Sequence, residues 1–137
     1  MWHTAKLFLS TAFVIMVMDA IWLGFLMTGF YKNQLGSLAR RSGDAMNPIW
    51  WAAIVVYVIL PLGILAFVLP RAADGSLLAA MAWGALFGVI TYGVYDFTNY
   101  ATLDKWPLVL VAVDVIWGGV ICGVAAGVAK ILDGWLS

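Results

Sequence analysis

Apolar and polar positions in this chain separate into long blocks instead of alternating. Four apolar runs stand out, at about 7–30, 48–69, 77–100 and 106–132. At a helical rise of about 1.5 Å per residue each reaches roughly 30 Å or more, the thickness of a bilayer's hydrocarbon core. The pattern therefore predicts an all-α polytopic membrane protein. It is a single domain, a bundle of four transmembrane helices with both termini on one side. The connections fit that reading. Tyr31 to Asn47 carries Lys32, Arg40, Arg41 and Asp44 among glycines and serines, too polar to enter lipid. Pro70 to Ser76 holds the turn pair Asp74-Gly75, and Ala101 to Lys105 is so short that spans three and four must be antiparallel neighbours. A secretory signal is the alternative for the N-terminus. The first run continues past Asp19 with no small-x-small cleavage site after a short apolar core, so a retained helix is expected.

Proline and glycine punctuate the spans. Pro107 falls at the start of span four, where its missing N–H costs nothing, and Pro61 lies inside span two and should kink it. Gly119, Gly123 and Gly127 repeat every fourth residue in span four, and Gly84 and Gly88 do so in span three. Such stripes let another helix backbone approach closely. The stripe in span four lies roughly opposite Asp114, so both faces of that helix want protein. Span four is then central, or its glycine face makes a homo-oligomer.

Composition sharpens the class: 65% of residues are hydrophobic and 10% charged. A soluble domain carries about a quarter charged residues, so lipid must solvate much of this surface. Seven basic residues balance seven acids, which gives no hint of a nucleic-acid partner. Lys32, Arg40, Arg41 and Lys105 lie on the side of the first and third connections, against Lys6, Arg71 and Lys130 on the other. That one-charge difference leans toward a cytoplasmic first loop. Cys122, the single cysteine, reads as a small packing residue. Of eight tryptophans, Trp2, Trp50, Trp51, Trp106 and Trp135 fall near span ends, where the interface accounts for them. Trp22, Trp83 and Trp117 are deeper.

The candidate chemistry lies in three intramembrane acids: Asp19, Asp96 and Asp114. All seven acids of the chain are aspartate. An ionised aspartate at mid-bilayer costs at least about 2.5 to 3.5 kcal/mol. Three in one small bundle are too expensive to be incidental. Asp19 and Asp114 each precede a tryptophan by three residues, so Asp19-Ala-Ile-Trp22 and Asp114-Val-Ile-Trp117 are one device used twice. Counted from the side of the first and third connections, Asp96 lies about 6 Å deep, Asp114 about 12 Å and Asp19 about 16 Å. All three could line a polar cavity opening to that side. Thr98, Asn99 and Thr102 would stand at its mouth, with Tyr92 on the face of Asp96.

Two readings follow. The carboxyls either hold four helices in register through Tyr, Thr, Asn and Trp partners, or serve a ligand or proton pathway or an acid pair in catalysis. Trp22 and Trp117 would donate N–H groups to the acids or stack on a ligand. Tyr95-Asp96 is similar to the Tyr-Asp pair of presenilin-type proteases, but Val111-Ala-Val113 precedes Asp114 where those enzymes carry Gly-x-Gly. Lipoprotein signal peptidases also have four spans and two aspartates, and their Asn- and Gly-rich signatures are missing. His3, the only histidine, lies at a terminus, so no metal site is expected. No phosphate loop, cysteine pair or nucleophile motif occurs, and no cofactor can be named.

With these residues in hand the chain resembles the domain of unknown function 2177 family of small bacterial four-span membrane proteins. The resemblance rests on Asp19-Ala-Ile-Trp-Leu-Gly24 with Phe30-Tyr31, Gly84-Ala-Leu-Phe-Gly88, Tyr95-Asp-Phe-Thr-Asn99 with Ala101-Thr-Leu103, Trp106-Pro107, and Asp114-Val-Ile-Trp-Gly118. It implies a four-span architecture in a bacterial inner membrane and carries over no catalytic residue. The expected function is non-enzymatic: binding or passage of a small polar or amphiphilic ligand by Asp19, Asp96 and Asp114. The alternatives are an accessory subunit of a larger membrane complex and a membrane enzyme acting on lipid.

Overall fold

The computed structural model describes residues 1–136. Helix α1 (Trp2–Ile21) runs directly into a π-helical turn, Trp22–Leu26. A second helix, α2 (Thr28–Leu35), follows, and then a minimal hairpin of β1 (Arg41–Ser42) and β2 (Ala45–Met46). Helix α3 (Trp50–Gly63) continues as a π turn over Ile64–Val68 and a short 3-10 turn over Pro70–Ala72. Helices α4 (Leu77–Thr102) and α5 (Leu108–Leu136) complete the chain.

Among the described residues, four helical segments are long and apolar enough to cross a membrane: Trp2–Leu26, Trp50–Ala72, Leu77–Thr102 and Leu108–Leu136. Local chemistry explains their ends. Ser76 caps α4 by accepting from the Ala79 N–H at 3.2 Å. Leu103 is extended and stops that helix. Pro107 stands just before α5, its carbonyl accepting from the Val111 N–H at 3.2 Å. Within α3 the helix passes through the buried Pro61, and the irregularity follows as the π turn at Ile64–Val68. There the Leu69 N–H reaches five residues back to the Ile64 carbonyl at 2.9 Å. A proline removes one donor from the ladder, and a local change of helix type re-satisfies the backbone.

Helix α5 is the centre of the bundle. Its apolar window is 44% buried, against 22% for the first two spans and 17% for the third. It packs along α4, and also against α1 and the π turn of span two, while α1 lies on α3. Buried Ile15, Leu60, Ile64, Val68, Ile121 and Cys122 fill the space between them, joined by the small residues Ala125, Ala126 and Ala129. In lipid there is no hydrophobic force to drive helices together, so close packing must hold them.

The α4–α5 seam supplies it. A Cβ on Gly88 would run into the Gly118 carbonyl oxygen, and one on Gly84 would lie 2.5 Å from the Cys122 carbonyl oxygen. From the other side, a Cβ on Gly123 would meet the Met81 carbonyl oxygen at 3.2 Å, on Gly127 the Met81 Cγ at 2.8 Å, and on Gly119 the Val89 Cγ2 at 3.1 Å. Both glycine stripes thus face each other inside one chain.

The two ends of the bundle are distinct. His3 Nε2 lies 3.2 Å from Asp133 Oδ1, which brings the start of α1 beside the end of α5. Lys130 Nζ donates to the Ala73 carbonyl at 2.7 Å, and the Arg71 guanidinium sits 5.3 Å from the Trp83 ring centroid. Both termini and the second connection therefore share one end.

Candidate functional site

The first span ends differently from the run at 7–30. Its last regular turn widens into the π turn, where the Met27 N–H donates to the Trp22 carbonyl at 2.8 Å. Met27 then leaves the helical region, with φ −121° and ψ 9°. The chain turns and starts α2, with the Thr28 hydroxyl bonded to the Leu23 carbonyl. A segment expected to be polar connection is partly helical, and its role is to carry Tyr31 back into the bundle. Tyr31 is buried.

The Tyr31 hydroxyl donates to Asp114 Oδ1 at 2.5 Å and accepts from Trp22 Nε1 at 3.1 Å. Trp117 Nε1 donates to Asp19 Oδ1 at 2.9 Å. The two indoles stack, with ring centroids 4.2 Å apart and planes within 2°. Each copy of the Asp-x-Ile-Trp device therefore serves the other's acid: Trp117 of α5 holds Asp19 of α1 directly, and Trp22, in the π turn that continues α1, holds Asp114 of α5 through Tyr31. The result is a clasp between two helices whose segments lie 98 residues apart. Further phenols close it. The Tyr57 hydroxyl of α3 borders Asp19, and Tyr92 of α4 lies among Asp19, Asp114 and Tyr57. The missing side chain of Gly118 leaves room for the Tyr92 ring.

Asp96 completes the group from α4 and is its least satisfied member. Its exposure is 0%, and neither carboxyl oxygen makes a hydrogen bond of ordinary geometry. Asp114 and the Trp106 indole are the polar groups beside it. Two carboxyls can bond to each other only if one carries a proton, because ionised carboxylates are acceptors alone. The Trp106 Nε1 is also buried without a partner. The Trp106 ring meets Tyr95 edge to face at 5.9 Å and forms part of the wall of an open cavity of about 520 Å³ at the third connection, with Tyr100, Thr102, Leu103 and Asp104.

Outside the spans, burial pushes the Tyr31 phenol above its usual range, and its bond to Asp114 pushes it in the same direction. The phenol remains a donor. Among the described residues no lysine, arginine or histidine forms an ion pair with Asp19, Asp96 or Asp114. Nor do three His, Cys or carboxylate groups converge there as metal ligands would.

Asp19, Trp22, Tyr92, Asp96, Asp114 and Trp117 thus come together, with Asp114 interacting with both other acids. Thr98 does not join them; it is exposed, and its carbonyl accepts from the Thr102 hydroxyl at 2.8 Å. Asn99 pairs with the Tyr95 side chain instead. The acids do not line an open cavity, since Asp96 is wholly buried and the open space lies outward, beyond Trp106. Three members escaped the sequence. Tyr31 falls in a polar connection, Tyr57 carries no marker on a uniformly apolar helix, and Trp106 has the position of an interfacial aromatic. The Trp106-Pro107 pair ahead of α5 was the available signal for the last.

A helical membrane bundle with a closed acid and aromatic cluster near one end defines the class: a multi-pass membrane protein. The family model described as "Predicted membrane protein (DUF2177)" matches residues 4–131. The chain belongs to that family. No curated protein and no solved structure matches it.

Proposed function

We propose that this membrane protein binds or passes a small polar or amphiphilic ligand at the acid and aromatic cluster, reached past Trp106 from the cavity at the third connection. The observation that carries this reading is Asp96. It is wholly buried, neither oxygen makes a hydrogen bond of ordinary geometry, and the Trp106 N–H beside it is within electrostatic reach without closing one. A polar group orphaned in a low-dielectric bundle costs several kcal/mol. A ligand that donates to Asp96 and accepts from Trp106 would satisfy both groups. The family resemblance supports a bacterial inner membrane as the setting.

An accessory-subunit role has less to rest on. The glycine stripes that would seat another helix are used between α4 and α5.

Native mass spectrometry of protein gently released from its own membrane tests the proposal, comparing wild type with Asp96→Asn. The expected result is a small-molecule adduct that the variant loses. Absence of any adduct from wild type would leave bridging water as the partner of both groups and overturn the reading. So would an adduct that both proteins hold equally, or larger subunits that copurify with both in its place.

A further inference from the structure

The three buried acids differ in the donors that face them, and the difference singles out one as the carrier of a proton. Trp117 Nε1 donates to Asp19 at 2.9 Å, and the Tyr57 hydroxyl is a second donor beside the same carboxyl. Trp22 Nε1 donates to the Tyr31 oxygen at 3.1 Å, which directs the Tyr31 proton onto Asp114 Oδ1 at 2.5 Å. An indole N–H can only donate, so this chain runs one way and ends on Asp114 as an acceptor. Asp19 and Asp114 thus have the surroundings of carboxylates.

Asp96 lacks them. It is wholly buried, neither oxygen makes a hydrogen bond of ordinary geometry, and its polar neighbours are Asp114 and the Trp106 indole. The titratable groups that face the Asp96 and Asp114 pair are Tyr31 from α2, Tyr92 and Tyr95 from α4 and Asp19 from α1. None of these can carry a positive charge. At the same end of the bundle Lys32 is half-buried, Arg40 and Lys105 are exposed, and Arg41 is bonded to the Lys32 and Gly36 carbonyls. Not one of the four forms an ion pair with either acid. Two ionised carboxyls in contact there would repel in a low-dielectric interior and offer each other acceptors only. A single proton cancels one charge and supplies the missing donor. Asp114 Oδ1 already accepts from Tyr31, so the proton belongs on Asp96.

We propose that Asp96 is a proton-binding site: at neutral pH it is a neutral carboxylic acid whose O–H is shared with Asp114, the carboxylate that also holds Tyr31. A carboxyl kept neutral in an apolar site becomes a donor. Gain or loss of that proton is transmitted to α2, because Asp96 and Tyr31 compete for the charge of one carboxylate. The assignment does not depend on the ligand-binding reading above, since the second oxygen of Asp96 remains to accept from a ligand whether one is bound or not.

Infrared spectroscopy of the full chain in nanodiscs at neutral pH, in H2O and in D2O, tests it. Wild type should show the C=O stretch of a protonated carboxyl, shifted in D2O. Asp96→Asn should lose that band and Asp19→Asn should keep it. Tyr31→Phe should keep the band and move it, because Asp114 then has one donor fewer and accepts more strongly from Asp96. Should Asp96→Asn fail to fold by circular dichroism, Asp96→Glu makes the same assignment by moving the band without removing it. Absence of the band from wild type would overturn the proposal, as would its loss in Asp19→Asn or its persistence unchanged in either Asp96 variant. An unmoved band in Tyr31→Phe would overturn the link to α2. None of these results depends on an adduct in native mass spectrometry, so the two readings fail separately.

Discussion

Tyr31 joins α2 to the bundle through one hydroxyl that serves two partners, donating to Asp114 and accepting from Trp22. Removing it in Tyr31→Phe should destabilise the protein by about 1 kcal/mol, the scale of a side-chain hydrogen bond in membrane bundles. The effect should depend on pH in one direction. Burial and Asp114 raise the phenol's pKa in the folded protein above its unfolded value of about 10. A raised value means the folded state holds the proton more tightly, so the contribution is complete below about pH 10 and is lost as pH rises beyond it. Thermal melting of wild type and Tyr31→Phe in detergent should therefore show a constant gap up to about pH 9 that narrows above pH 10. A gap that widened with alkalinity would show that Tyr31 is not the buried donor described here.

At the scale of elements, the close approach of α4 and α5 depends on where side chains are missing. Gly88 is the tightest such point, because a Cβ there would enter the backbone carbonyl of Gly118, which cannot swing aside. Gly93, five residues along the same helix, has nothing within 4 Å of the same position. Gly88→Ala should force the helices apart and cost about 1–3 kcal/mol, the range for overpacking. Gly93→Ala should be neutral or stabilising by up to about 1 kcal/mol through helix propensity. Unfolding of the two variants side by side checks this, and equal melting points would mean that the seam yields without cost. The same reasoning explains what glycine spacing could and could not say. Gly119, Gly123 and Gly127 mark a face built for backbone approach, and spacing alone cannot say whether the approaching helix is α4 or a second copy.

At the scale of the molecule, four spans place Ser76 with the termini and Ser37 at the opposite end. Single Ser37→Cys and Ser76→Cys variants should react with a membrane-impermeant maleimide from opposite sides of sealed vesicles, while Cys122, with 0% exposure, stays unlabelled. Labelling of both from one side would refute the four-span arrangement. Much of this scale was legible beforehand. Long apolar runs separated by short polar connections admit few structures in lipid, because every backbone N–H and C=O must be bonded within its own segment. Four spans, shared sidedness of the termini, the antiparallel pairing of spans three and four, and three intramembrane aspartates all follow from the order of residues alone. The partners of those aspartates do not follow. Whether Trp22 meets Asp19, three positions away along its own span, or crosses to α5 depends on how two helices rotate against each other, and a uniformly apolar run leaves that rotation open. Tertiary packing decided it: the π turn at Trp22–Leu26 swings α2 inward, Tyr31 fills the gap between Trp22 and Asp114, and Gly118 admits Tyr92. The sequence alone determined that polar groups must be buried in this membrane bundle; only the fold determined which were well satisfied and that Asp96 was the least so, because hydrogen-bond pairing is a property of distances between helices.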